Sequence, residues 1–201
     1  MRAVVFDLPK HWLAERQNSE AAQWDEVWDG VYHMPPMPNR MHQDLAGELY
    51  IWLKLNWARP TGGRVNQEVN LTTPADEAHW TLNFRIPDLV LLTPPRFGID
   101  RNEYMVGAPD VVIEIRTPGD ETPEKLPFYA GLGVPTVWVI HRDTKEPTVY
   151  SLADGGYQPV PAGADGWVPA GLGIELRQAR PGRLGVRRVD APATAAELPE
   201  G

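Results

Sequence analysis

Three apolar runs of strand length sit in the middle of the chain: Leu89 to Thr93, Val111 to Arg116 and Thr136 to Ile140. Their length and β-branched content predict buried strands. A further strand is predicted at Thr148 to Leu152, after the polar turn Arg142-Asp143-Thr144-Lys145. Upstream, Met41 to about Trp57 carries Leu45, Leu49, Trp52 and Leu53 on one stripe, flanked by Ala46 and Leu55, which is the pattern of an amphipathic helix. Gln23 to Met34 reads as a hairpin, because Asp29-Gly30 suits the positive φ angles of a tight turn. Asp7-Leu8-Pro9 opens a helix to about Gln17, with Asp7 as its cap and Trp12 and Leu13 directed at the core. Arg64 to Thr72 alternates in two competing phases and is read as one strand. The stretches 73–83 and 93–109 read as loops. Thr122-Pro123 begins a helix running to Gly131, unless Pro127 delays its start to Leu126. These elements predict an α/β fold with a mixed central sheet flanked by helices, preceded by an N-terminal helix and β-hairpin. One domain is expected over 1–188, comprising an arm (1–40), a core (41–153) and an extension (154–188), with a disordered tail over 189–201.

Two acids interrupt this pattern. Asp88 opens the first apolar run after Pro87, and Glu114 lies between Ile113 and Ile115. An unpaired carboxylate in a buried strand costs several kcal/mol or is forced to protonate, so these positions point to use. By alternation, Val112, Glu114 and Arg116 share a face. If the strands of Asp88 and Glu114 are neighbours, the two carboxyls converge at one end of the sheet. At a separation of about 6 Å they would repel by roughly 3 kcal/mol, or about two pKa units. Such a pair either shares a proton or holds a cation. Oxygen ligands of this kind suit Mg²⁺ or Mn²⁺, with the backbone carbonyl of Ile115 as a further donor.

Pro87-Asp88, Glu114-Ile115-Arg116, Thr117-Pro118-Gly119-Asp120 and the stretch from Glu124 to Pro135, followed by Trp138, together resemble the Uma-two family. That family is a branch of the PD-(D/E)XK superfamily of restriction endonuclease-like nucleases. The likeness extends upstream to Glu26-Val27-Trp28-Asp29-Gly30 and His42-Gln43, and downstream to about Glu175. It implies a restriction endonuclease-like core and a Mg²⁺-dependent phosphodiesterase acting on DNA. Asp88 and Glu114 would bind the metal, and a lysine would assist the attacking water. The superfamily's lysine position holds Arg116 here, which cannot act as a base but can contact a phosphate oxygen. The resemblance therefore shifts the lysine role to Lys125. Glu26, His42 and Arg85 are candidates for contact with substrate or with the groups around the metal. For Glu26 the competing reading is a solvated strand acid, and for His42 a capping or packing role.

Charge qualifies this picture. Nineteen Lys and Arg against 27 Asp and Glu leave a net charge of −8, a field that repels nucleic acid. Arg177, Arg180, Arg183, Arg187 and Arg188 form the strongest basic cluster, suited to a nucleic-acid backbone or to balancing the acidic body. On the 93–109 stretch, Arg96, Arg101 and Tyr104 would suit phosphate contact and base stacking, or simply make a polar loop. Absence of cysteine removes thiolate metal sites and disulfides. No signal peptide or membrane span is read, so a cytoplasmic protein is expected, and cutting both DNA strands would call for a homodimer. Two rival readings remain: a family member without activity that serves as a nucleic-acid-binding or assembly module, and a carboxylate-pair hydrolase of sugars that needs no metal.

Overall fold

The computed structural model describes residues 3–5 and 9–200; the cap expected at Asp7 and the side chain of Leu13 lie outside what is described. The central sheet has six strands in the order Gly156–Pro159, Pro147–Ala153, Thr136–His141, Val111–Arg116, Leu89–Leu92 and Arg64–Gln67. Val111–Arg116 and Thr136–His141 run parallel and the other pairs antiparallel, so the sheet is mixed. A parallel pair needs a crossover, and the helix Thr122–Leu132 supplies it. That helix begins at Thr122 and runs through Pro127 without a break. Gly133 ends it in the left-handed conformation, at a φ of 79°.

Each sheet face has its own core. On one side, Leu45, Leu49, Trp52 and Leu53 of the helix Arg40–Leu53 pack on Leu89, Leu91, Ile113 and Ile115. On the other, Val90, Leu92, Val112 and Val137 pack with Tyr129 and Leu126 of the crossover helix. The long helix continues as a π-helical segment, Lys54–Ala58, which turns Trp57 and Ala58 inward and leaves Leu55 exposed. The expected flanking role of Leu55 therefore passes to Trp57.

A second six-stranded sheet joins the N-terminal region to the core, in the order Ala3–Val5, Val31–Met34, Glu26–Trp28, Phe84–Arg85, Asn70–Thr72 and Tyr104–Val106. The expected hairpin is present, with Asp29 and Gly30 both at positive φ. Tyr104–Val106 lies in a stretch read as loop, and its buried Met105 and Val106 account for the strand. Two segments pass from one sheet to the other. Residues 64–72 do so at Glu68, whose φ of 47° breaks the strand, and 84–92 do so through Ile86, Pro87 and Asp88. The Glu68 N–H donates to the Asp88 carbonyl at 3.1 Å, pinning the two crossings together. The two phases of Arg64 to Thr72 are thus two strands in different sheets.

Two expectations fail at the ends. Trp12 is exposed, because its helix Lys10–Gln17 is polar on most sides and is held by an Arg16–Asp25 ion pair at 2.6 Å rather than by an apolar face. The tail expected to be disordered is ordered to residue 200. Ala196–Leu198 pairs with Arg183–Arg188 in a four-stranded C-terminal sheet, and Leu198 is buried against the long helix's core. Burying one leucine and closing a sheet edge offsets the polar composition of the segment. Among the described residues no helix is long and apolar enough to cross a membrane.

Candidate active site

Antiparallel pairing sets Leu89 opposite Ile113 and Val90 opposite Val112, so one further step sets Asp88 opposite Glu114. Val90 and Val112 face the crossover helix. Asp88 and Glu114 thus stand at neighbouring strand ends, where the two sheets meet. Both line a cavity of ≈ 400 Å³. Asp88 is fixed at both oxygens: Oδ2 accepts the Ile115 N–H at 2.6 Å, and Oδ1 lies 2.8 Å from His42 Nε2. His42 sits in the first turn of the long helix, whose cap is Asn39 accepting the His42 N–H.

Lys125 occupies the centre of the acid cluster. Its Nζ is 2.7 Å from Glu26, 3.2 Å from Glu114 and 3.3 Å from the Ile86 carbonyl. Glu26 also accepts from the Ile86 N–H at 2.8 Å and the Trp28 indole at 2.6 Å, so it is a buried and fully engaged acid rather than a solvated one. One helical turn beyond Lys125, the Tyr129 hydroxyl donates to Glu114 at 2.5 Å. Replacing Tyr129 with Phe removes that donor from a buried oxygen and is expected to destabilise the fold by about 1–3 kcal/mol, read as a lower urea midpoint.

Electrostatics follow from this packing. Burial, with Asp88 and Glu26 adding like charge, pushes the Glu114 carboxyl up to about 8, although Lys125 and Tyr129 pull the other way. Burial alone would lower the Lys125 ammonium, but Glu114 and Glu26 outweigh it and hold the lysine charged well above its usual range. For His42, burial is likewise outweighed by its bond to Asp88 and by the nearby carboxylates, and the imidazole is raised.

Arg85 and Arg116 are not where the site needs them. Arg85 is 5 % exposed, clamped between the rings of Trp28 and Phe128 at 4.4 and 4.2 Å, and donates to the Val27 and Phe84 carbonyls. It braces the wall behind Glu26 and does not line the cavity. Arg116 ends its strand with an exposed side chain and is also absent from the lining. Arg96, Arg101 and Tyr104 are engaged elsewhere, with Asp110, Glu77 and Trp80 respectively. Several cavity residues escaped the sequence reading: Tyr129 behind it, Trp24 and Glu68 on its rim, and His33, which is stacked on Trp28 at 3.7 Å and lies 3.0 Å from Glu121. The spacing of four between Lys125 and Tyr129 was a readable signal for the first of these.

Among the described residues, no three His, Asp or Glu side chains are grouped to hold an ion. The cavity carboxylates that could take part in holding a divalent ion are Asp88 and Glu114. Mg²⁺ commonly accepts one or two carboxylates and leaves its other positions to water and phosphate. A bound cation would oppose the burial that drives Glu114 upward and the like charge of Asp88 and Glu26 that adds to it.

A family model described as "Putative restriction endonuclease", Uma2, matches residues 13–180. Among solved structures, the chain is similar to a putative nuclease of the DUF820 group from Anabaena variabilis, at 19% identity and a TM-score of 0.59, covering 82% of this chain and 89% of that one. No curated protein matches.

Proposed function

The chain belongs to the Uma2 family, and from that premise we propose that it is a metal-dependent endonuclease hydrolysing phosphodiester bonds of DNA. The observation that supports this reading is that Asp88 and Glu114 line one cavity, with the Lys125 ammonium 3.2 Å from Glu114. Asp88 and Glu114 would hold Mg²⁺ or Mn²⁺, and Ile115, which also lines the cavity, would offer its carbonyl. When bound, the ion polarises the phosphate and acidifies a water molecule. Lys125, kept as an ammonium by Glu26 and Glu114, donates toward the charge that builds on the phosphate oxygens; it has no vacancy for a proton and so is not a base. His42 holds the Asp88 carboxylate in orientation, and Glu26 holds the lysine. Arg85 and Arg116 take no part.

The test is cleavage of supercoiled plasmid with Mg²⁺ or Mn²⁺, with and without EDTA, beside a calorimetric titration of Mn²⁺. Nicking or linearisation that stops in EDTA, with measurable Mn²⁺ heat, is the expected result. Intact plasmid and no Mn²⁺ heat would leave the inactive binding module as the better account. Hydrolysis that ignores EDTA would favour metal-free chemistry.

A further inference from the structure

The lining of the cavity is mixed in chemistry. It includes the charged groups Asp88, Glu114 and Lys125 and the apolar side chains Trp24, Pro35, Pro36, Met37 and Pro38. Of the two tryptophans in the lining, Trp28 is covered, with His33 stacked on it and the Arg85 guanidinium over its ring. Trp24 is half-buried and has no ring stacked on it among the described residues. Its position is nevertheless set. The indole N–H donates to the Glu68 carboxylate at 3.4 Å, and the Glu68 backbone N–H bonds the Asp88 carbonyl at 3.1 Å. Glu68 holds this bridge from the left-handed region, at a φ of 47°, where a non-glycine residue is strained. A partly exposed aromatic side chain in the cavity lining is thus tied through one residue in the left-handed region to the strand end that carries Asp88.

Resting on the nuclease reading above, we propose that the cavity takes one unstacked nucleotide, its base laid on Trp24 and its phosphate at Asp88, Glu114 and Lys125, so that the enzyme acts on single-stranded or locally unpaired DNA. Size supports this. A cavity of ≈ 400 Å³ lies at the small end of ligand pockets, the scale of a single nucleotide. The surface supports it too. Arg40, Arg101, Arg142, Arg180, Arg187 and Arg188 each face a carboxylate within 4 Å, so part of the basic charge of a chain that is net −8 is already neutralised. Stacking on an aromatic ring is the sequence-tolerant source of affinity that remains, and a single strand asks for no second copy of the site.

The experiment measures anisotropy of a fluorescein-labelled 10-nucleotide DNA, single-stranded or as a blunt duplex of the same sequence, with Ca²⁺ replacing Mg²⁺ to hold off cleavage. The single strand is expected to bind more tightly than the duplex. Trp24→Leu keeps apolar bulk but loses the π face, and should weaken single-strand binding by about 10-fold, within a range of about 5- to 150-fold; Trp24→Phe should retain most of it. In cleavage, W24L should raise KM with little change in kcat. Equal binding of both DNA forms, or W24L indistinguishable from the parent, overturns this inference and leaves the metal-dependent cleavage test standing. Failure to bind either form, together with no metal-dependent cleavage, overturns the nuclease reading itself.

Discussion

Replacing Glu114 with Gln is expected to reduce Mg²⁺-dependent cleavage by at least about 100-fold, because losing even a residue that supports a metal ligand costs about 10–100-fold and Glu114 would be a ligand itself. The same substitution should change how stability depends on pH. The Glu114 carboxyl ionises near 4.5 in an unfolded chain and near 8 in the fold. Between those values the native state keeps a proton that the unfolded state has released, so parental stability falls as pH rises through that window and levels off above it. Glutamine has no proton to lose, and Lys125 retains Glu26 at 2.7 Å, so E114Q should fold and lose this slope. Urea midpoints of both proteins at several pH values, without metal, measure it. Cleavage retained in E114Q, or an unchanged slope, would remove Glu114 from the site.

Glu114 and Asp88 were legible in the sequence because a carboxylate inside a buried apolar run conflicts with its surroundings, and such conflicts concentrate at functional positions. The three central strands of the mixed sheet were legible for the same reason in reverse: their buried stretches are apolar apart from Glu114. Lys125 was not legible in that way. Its helix carries two prolines, and only the resemblance to a nuclease family directed attention to it. Glu68 was visible as a clash of phases between Val65 and Leu71, but alternation cannot say that a residue at positive φ sends the two halves into separate sheets. Arg85 misled because a guanidinium reads as a phosphate contact, whereas its flat faces and long stem also fit between two aromatic rings. The C-terminal sheet was hidden by composition. Gly171 and Gly173 allow a left-handed turn between short strands, and Leu198 is one apolar residue in a polar tail whose pairing depends on contacts far away in the chain.

Replacing Lys125 with Met is expected to have the largest effect on the fold and to abolish cleavage as well. Lys125 is the cation between Glu26 and Glu114, each 4 % exposed, and removing it leaves both buried acids without their counter-ion. Breaking a buried ion pair at one partner costs about 3–5 kcal/mol, because the remaining charge is buried without its counter-ion. Lys125 is one of the groups that pull the Glu114 carboxyl down, so without it Glu114 keeps its proton to higher pH, and the fall in stability that begins near pH 4.5 should continue further up the pH scale in K125M than in the parent. Loss of the charge that opposes the developing phosphate oxyanion should lower any residual rate by about 100- to 1,000-fold. The double variant E26Q/K125M separates packing from charge. If the lysine matters as a counter-ion, neutralising Glu26 recovers part of the lost stability, since removing both partners costs less than removing one. Activity should not return with it, because the ammonium that faces the phosphate is still missing. Recovery of neither stability nor rate would instead mean that the lysine stem, and not its charge, holds the helix to the Glu114 strand.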